Sequence, residues 1–348
     1  NKKESNKYKQ SIVKEQKDFA KKYKKDKNIN FISLEEARQK RFKPDFSLIK
    51  NQIENFNLQI WNFDIEEIIN YIDWSPFFWV WDFKGVYPGI FKNKKYGEQA
   101  RTLFEDANEV LIKLVSDNIL KPKGLSQIWN AVSFNECIDI YDEGFKNKLE
   151  SLYFFRQQVK QDKKNQTYLS SSDFISPNKA DKDILGGFIV TSGHEVDEYA
   201  ATFKEQGDDY TSIIIKALGD RIVEASSEYL HKQIRIENGE DESFSLNGLI
   251  KEKYKGSRPA HGYPSCPDHS EKNKLWNLLE VEKNIDVSLT ENFALNPASS
   301  ICGLYFFHPQ SKYFNLGKIN RDQFEEYCDK KEYSRDKLRS ILQNNLVN

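Results

Sequence analysis

The segment from Arg258 to Pro267 has the composition of a loop that binds a small anion. It holds three prolines and one glycine in ten positions, so neither a helix nor a strand is expected there. Proline restricts the backbone in advance, glycine lets a ligand approach closely, and the guanidinium of Arg258 matches a carboxylate or a phosphate. A second interpretation is equally open, namely a structural crossover in which Arg258 pairs with an internal acid.

Two acidic residues lie in patterns that could serve a ligand. Asp73 falls in the aromatic run from Tyr71 to Trp81, where it would either cap the turn at Ser75 or hold a cation, and capping is the commoner case. Glu224 falls on a long amphipathic helix predicted from about Asp209 to Lys232. The polar face of this helix is expected to be solvated. That face carries Lys216, Asp220, Glu224, Ser227 and His231.

The common nucleotide and metal motifs do not account for these residues. The sequence has no GxGxxG, GxxxxGK[ST], GxSxG or HExxH, which argues against the usual nucleotide-binding and hydrolase classes. Glu228 and His231 form a single ExxH element, whereas a di-iron bundle needs two, so a pair on the helix surface is favoured. Cys266 and His269 have the spacing of zinc ligands, but even with His261 they fall short of four, so no metal site is expected.

The composition indicates a globular protein. A length of 348 residues predicts about two domains or one large one, and 14% aromatic residues supply ample material for a core. Four cysteines without CxxC spacing, together with no visible signal peptide, favour a reducing, cytoplasmic compartment. The richest apolar stretch, from Trp74 to Trp81, is far shorter than the ~20 residues of a membrane-spanning helix.

Charge is divided unevenly along the chain. Residues 1–45 hold 15 Lys and Arg against 7 Asp and Glu, a net charge of +8, whereas the remainder carries −9. The interleaved acids favour a solvated basic arm of helices, with Ser33 capping a short one, over a nucleic-acid-binding segment. We therefore divide the chain into a basic helical arm at 1–60 and a globular domain at 61–348.

Within the globular part, helical and strand patterns are mixed without a βαβ rhythm, which favours an α+β fold. Asp64 is expected to cap a helix that runs to Ile72, and Asp268 with Glu271 to form a capping box. A further helix is predicted at 97–117, and two more close the chain near 321–330 and 334–343. Strands are predicted at Gln127–Val132, Glu136–Tyr141, Ile184–Val190, Ser299–Phe307 and Lys312–Ile319, the last two as a hairpin.

Several segments, in this order, resemble the C-terminal activation domain of cobalamin-dependent methionine synthase. The resemblance extends from roughly Asn62 to residue 343, and it covers much more than one short motif. The segments that carry it are Tyr71–Phe78, Ala217–Ala225, the Arg258 loop, Leu278–Lys283 and Ser311–Phe314.

The resemblance implies a C-shaped α+β domain with a mainly antiparallel sheet and flanking helices, preceded here by the basic arm. Such a domain binds S-adenosylmethionine and donates its methyl group to reduced cobalamin, which a neighbouring domain of the same polypeptide presents. The electron comes from flavodoxin or a flavoprotein reductase, and no side chain of the domain acts as a nucleophile. The homocysteine, folate and zinc sites of the family lie in other domains, and neither nucleic acid nor a membrane is an expected partner.

The resemblance also implies which residues bind the ligand and where this chain departs from the family. The matching positions are Asp73, Glu224, Arg258, Ala260, Gly262, Tyr263, Tyr313 and Phe314. His261 replaces the second proline of the usual Arg-Pro-Ala-Pro-Gly-Tyr, which would place a titratable group beside the ligand, and the segment 235–243 lacks the family's aromatic stretch. A binding module of the same fold that senses S-adenosylmethionine or docks a flavoprotein without methyl transfer is the alternative function.

Overall fold

The computed structural model describes residues 29–161, 165–240 and 243–347, so the first 28 residues of the predicted basic arm lie outside the described residues. The helices are α1 (Leu34–Gln39), α2 (Ile65–Ile68), α3 (Ser75–Trp79), α4 (Gly97–Ser116), α5 (Glu195–Glu205), α6 (Asp209–Glu237), α7 (Leu246–Ile250), α8 (Lys272–Leu278), α9 (Val281–Asn284), α10 (Arg321–Cys328) and α11 (Arg335–Ile341). Short 3₁₀ turns extend or join several of them.

The strands are β1 (Gln59–Asn62), β2 (Lys123–Phe134), β3 (Cys137–Tyr141), β4 (Lys148–Tyr153), β5 (Ile184–Thr191), β6 (Ser288–Leu289), β7 (Leu295–Asn296) and β8 (Ser300–Phe306). Six of these described strands form one antiparallel sheet in the order β4-β3-β2-β5-β8, in which β1 pairs with the first part of β2. The fold is therefore α+β with an antiparallel sheet, as the sequence predicts.

Helix α6 lies between the sheet and a layer of helices. Its residues Val223, Leu230 and Ile234 pack with Ile128 and Phe188 of the sheet. Apolar residues along its other side pack with α2 to α5 in an aromatic-rich cluster. Because α6 is buried on two sides, little of its second half is exposed to solvent. This placement positions the candidate site described below.

The opposite face of the sheet packs against α8 and α9, so β5 is buried along its whole length. This packing explains the glycine pair in β5. A Cβ atom at Gly187 would lie 2.5 Å from Cδ1 of Leu275 on α8 and 2.7 Å from the ring of Trp129. Only a residue without a side chain permits the two layers to approach this closely.

The described part of the predicted arm packs on the domain. The Leu34 amide donates to the Asp322 carboxylate at 2.6 Å, and the Arg38 guanidinium pairs with Glu136 at the same distance. Farther along, the backbone amide of Gln52 donates to Oδ1 of Asn238 at 2.9 Å. These contacts join the predicted arm to the predicted domain. The domain boundary at residue 60 therefore stays a prediction.

Local signals predicted several elements correctly. Ser33 accepts a hydrogen bond from the amide of Glu36, and Asp64 accepts one from the amide of Glu66, so both predicted caps are confirmed. The helix predicted at 97–117 is α4, and the strand predicted at 184–190 is β5. The strand predicted from Gln127 begins four residues earlier, where β2 pairs with β1.

Two local predictions are wrong. The segment 312–319 is not a strand: its Leu316 amide donates to the carbonyl of Pro264, and its Asn315 carbonyl accepts from the side chain of Gln157. These partners lie in loops, so no hairpin with β8 forms. Asp268 does cap its turn through the amide of Ser270, but Glu271 accepts instead from the amide of Tyr153, which leaves no capping box.

In the part of the chain that the structure describes, no helix combines the length and the apolarity needed to cross a bilayer.

Candidate functional site

Three adjoining cavities meet at Glu224, which lies on the wall of each, and we call them together the Glu224 cleft. The Arg258 cavity has a volume of about 490 Å³, and it shares Arg258 and Glu252 with the Asp73 cavity, of about 320 Å³. The Gly262 cavity, also of about 320 Å³, shares Ala260 and Tyr263 with the Arg258 cavity. Each volume lies within the usual range for small-molecule sites.

The cleft brings together all eight positions that the family resemblance implies. Asp73 lines its own cavity, Gly262 lines the third, and Tyr313 and Phe314 line the Arg258 cavity. The remaining four positions, Glu224, Arg258, Ala260 and Tyr263, each line at least two. Residues more than 200 positions apart in sequence therefore share one concave surface.

Backbone hydrogen bonds fix the predicted loop against the sheet. The Leu304 amide of β8 donates to the carbonyl of Pro259 at 3.0 Å, and Gly262 donates to the carbonyl of Cys266 at 2.7 Å. Gly262 has a φ of 99°, and a Cβ there would lie 2.1 Å from the ring of His269. Glycine is therefore required at this turn both by the backbone angle and by the neighbouring ring.

Arg258 is held at two points and has donors to spare. Its amide donates to the hydroxyl of Tyr313 at 2.9 Å, and its Nη2 donates to Glu228 Oε2 at 3.1 Å. Nε and Nη1 are buried and have no hydrogen-bond partner among the described residues. Burial lowers the pKa of Arg258, but the carboxylates of Glu228 and Glu224 outweigh it and raise that pKa, so the guanidinium stays charged. The predicted pairing of Arg258 with an internal acid is confirmed. This pair lies on a cavity wall, and binding of an anion there stays a prediction.

Asp73 is placed by its own turn. Its Oδ1 accepts a hydrogen bond from the amide of Ser75 at 2.9 Å, which confirms the predicted cap at the start of α3. Its other carboxylate oxygen makes no hydrogen bond within the described parts of the chain. Capping and ligand binding are therefore compatible, since each can use a different oxygen of Asp73.

The polar face of α6 differs from the solvated stripe that the sequence predicts. Lys216 is exposed, but Ser227 and His231 are buried because the second half of the helix lies between the sheet and the loop at 252–258. Glu224 is half-buried and has neither a hydrogen bond nor an ion pair with any residue that the structure describes. A half-buried carboxylate without a partner is a reason to expect a ligand at that position.

The single ExxH element is not a surface pair. Its His231 is buried, and the imidazole stacks on Tyr305 with ring centroids 4.9 Å apart. Burial, together with the charges of Arg235 and Arg258, lowers the pKa of His231 well below its ordinary value. Among residues 29–161, 165–240 and 243–347, no three His, Cys, Asp or Glu side chains are grouped so that they could hold a metal ion.

Sequence reasoning missed Glu252, which lines both the Arg258 and the Asp73 cavities. It follows α7 with a left-handed φ of 49°, and burial raises the pKa of its carboxyl. Its neighbours in sequence are lysines, and such alternating charge is typical of a solvated loop. A non-glycine residue at positive φ is the structural signal that marks it, and the sequence does not display that signal.

His261 faces the Gly262 cavity but does not act as a titratable group near neutral pH. It is 4% exposed, and its Nε2 has no hydrogen-bond partner in the described chain. Burial lowers the pKa of His261 from 6.5 to about 3, against the opposing effect of Asp268. The residue therefore stays neutral in the folded state across the pH range in which an exposed histidine takes up its proton.

This burial predicts an acid-sensitive fold. The unfolded state takes up a proton at His261 below pH 6.5 while the folded state does not, so stability is full above that pH and falls as pH falls toward 3. Between pH 7.5 and pH 5 we expect the free energy of unfolding of the wild type to fall by about 2 kcal/mol more than that of His261→Leu. Urea unfolding at both pH values measures this, with the partly exposed His194→Leu as control. Equal losses in wild type and His261→Leu would contradict the buried neutral imidazole.

The comparisons with known proteins agree with this fold. Residues 64–332 match the family described as vitamin B12 dependent methionine synthase, activation domain. The chain is thus an activation domain, and it belongs to that family. A crystal structure of the MetH reactivation domain bound to AdoHcy has a TM-score of 0.86 and 39% sequence identity, and the match covers 91% of this chain and 99% of that chain. The predicted resemblance is confirmed.

Proposed function

We propose that the chain binds S-adenosylmethionine in the Glu224 cleft and presents its methyl group for reactivation of a methionine synthase. The observation that carries this proposal is the buried guanidinium of Arg258, which has two unpartnered donors on a wall shared with several carboxylates. The family membership and the AdoHcy-bound relative support it. The isolated chain supports only this reactivation step, and the synthase reaction belongs to the whole enzyme.

The residues of the cleft fit the groups of S-adenosylmethionine. Arg258 takes the ligand carboxylate, because a charge-assisted pair satisfies donors that otherwise lie buried and unpaired. Asp73 and Glu224 take the ammonium or the ribose diol, and Glu252 adds a third acid on the same walls. Ala260 and Gly262 are assigned to the adenine edge. Tyr263 and Tyr313 are assigned to the faces near the sulfonium, with Phe314 beside them.

The role of this domain in the reaction is to orient the methyl donor. A neighbouring cobalamin domain would supply the cobalt that accepts the methyl group, and flavodoxin or a flavoprotein reductase would supply the electron. Pre-orientation of two reactants can lower a barrier by up to ~7–11 kcal/mol, so a rigid cleft suffices without a nucleophilic side chain. Tyr263, which is 56% exposed, lies at the rim of the cleft, where a partner domain can approach.

Calorimetric titration of the chain with S-adenosylmethionine is the test of binding, and saturable one-to-one binding is the expected result. No heat of binding at millimolar ligand would contradict the proposal. Methyl transfer is tested separately, by following methylcobalamin formation after the chain is mixed with the cobalamin-binding domain, a reductant and S-adenosylmethionine. Binding without methylcobalamin would favour the sensing or docking module instead.

Asp73 offers a substitution that separates binding from stability. Asp73→Asn removes the charge but keeps an amide oxygen that can cap Ser75, because Asn and Asp are comparable capping residues. We expect S-adenosylmethionine to bind about tenfold more weakly with an unchanged melting temperature. The matched control is Asp64→Asn, since Asp64 caps α2 in the same way and lies outside the cleft. A lower melting temperature with normal affinity would show that Asp73 is structural only.

A further inference from the structure

Glu228 lies one helical turn beyond Glu224 on α6, and both residues line the Asp73 cavity. Neither the family resemblance nor the residue types of the cleft assign it a role. Its Oε2 is 3.1 Å from Nη2 of Arg258, and its Oε1 is 4.0 Å from Nη2 of Arg235. One carboxylate therefore lies between two guanidinium groups.

The surroundings of Glu228 are nearly closed to water. The side chains of Glu228 and Arg258 are each 13% exposed, and that of Arg235 is 2% exposed. The Arg235 guanidinium lies over the ring of Tyr254, 3.8 Å from its centroid. An ion pair in such a place is weakly screened, so it determines where the guanidinium groups are held.

The contacts of Arg258 do not resemble those of a purely structural ion pair. A structural pair satisfies the guanidinium, as at Arg156, where all three nitrogens donate to buried acceptors. At Arg258 only Nη2 has a side-chain acceptor within the described residues, and Nε and Nη1 are left over. Glu228 thus fixes one nitrogen of Arg258 and leaves two donors for a further acceptor.

We propose that Glu228 is a positioning residue, which holds the Arg258 guanidinium in the orientation that receives the carboxylate of S-adenosylmethionine. This inference rests on the proposed function. Loss of the Glu228 charge removes the carboxylate that lies beside both guanidinium groups and that accepts from Nη2 of Arg258, so the Arg258 guanidinium is no longer held in one orientation. The ligand carboxylate then has no ordered guanidinium to bind, while the contacts of the rest of the ligand are unaffected.

The test compares two ligands on one variant. Glu228→Gln keeps the size of the side chain and removes its charge, and binding is measured by calorimetry with S-adenosylmethionine and with its decarboxylated analogue. We expect the variant to bind S-adenosylmethionine about tenfold more weakly and the analogue within about twofold of wild type. In the double variant Glu228→Gln/Arg258→Ala, S-adenosylmethionine binding should be no weaker than in Arg258→Ala alone, since the two substitutions remove the same interaction with the ligand.

The matched control is Glu237→Gln, on the last residue of the same helix, which should bind both ligands normally. If Glu228→Gln does not fold, Glu228→Asp serves, because it keeps the charge but withdraws it from Arg258, and the same discrimination between ligands is expected. Unchanged or tighter binding, or an equal loss for both ligands, overturns the inference and leaves the proposed function standing. Failure of the wild type to bind S-adenosylmethionine overturns both.

Discussion

Replacement of Arg258 by alanine should weaken S-adenosylmethionine binding by roughly 1.5–3 kcal/mol, or about 10- to 150-fold in Kd. The substitution removes a charged group whose Nε and Nη1 have no other acceptor in the described structure. It also removes the positive charge that compensates Glu228 and Glu224 on the same cavity wall. A ligand carboxylate would then lie beside these two acids without the guanidinium that balances their charge. Calorimetry at neutral pH measures the effect directly.

Lys255→Ala is the control for Arg258→Ala. Lys255 lies three residues earlier, is exposed and pairs with Glu240, so its loss should leave Kd within about twofold of wild type, as for exposed ion pairs. A folded Arg258→Ala variant with wild-type affinity would remove Arg258 from the binding site. It would also remove the reason to assign a role to Glu228.

Replacement of Arg156 by methionine should destabilise the fold by about 3–5 kcal/mol, the cost of leaving a buried ion pair without one partner. The Arg156 side chain is fully buried. Its Nε donates to Glu136 at 2.6 Å, and Nη1 and Nη2 donate to the two carboxylate oxygens of Asp173 at 2.7 Å. Nη1 also donates to the carbonyl of Tyr168 at 2.9 Å. Methionine fills much of the volume but leaves Asp173 without its counter-charge, and Glu136 then retains only Arg38.

Urea unfolding at pH 7 measures the effect of Arg156→Met. The control is Arg335→Met, which removes an exposed arginine that pairs with Glu325 and Asp329 and should cost less than about 1 kcal/mol. A loss below 1 kcal/mol at Arg156 would show that the buried network contributes little to stability. Any variant that remains folded should still bind S-adenosylmethionine, because Arg156 lies outside the Glu224 cleft.

Local sequence signals predicted those elements whose hydrogen bonds are local. The caps at Ser33, Asp64 and Asp73 each bond to an amide two or three residues away, so their residue types suffice to predict them. The segment 312–319 has the aromatic composition of a strand, but its backbone bonds to residues at 157 and 264. Partners so distant in sequence are decided by tertiary packing, which the local pattern does not contain.

The candidate site was only partly predictable for the same reason. The residue types of the Arg258 loop indicate an anion-binding role, but the eight positions as a set follow from the family resemblance. Glu228 was misread as a surface residue and Glu252 was missed, because their places on the cavity wall depend on α6 and the 252–258 loop meeting in space. Polar residues on an amphipathic helix are usually solvated, and only the packed structure shows which end of α6 is covered.

A crystal structure of the chain soaked with S-adenosylmethionine tests the binding site most directly. We predict density for the ligand in the Glu224 cleft, with its carboxylate within hydrogen-bond distance of Arg258 and its ammonium or ribose near Asp73 or Glu224. Ligand density at another surface, with the cleft still holding only solvent, would contradict the assignment of this site and the function proposed from it.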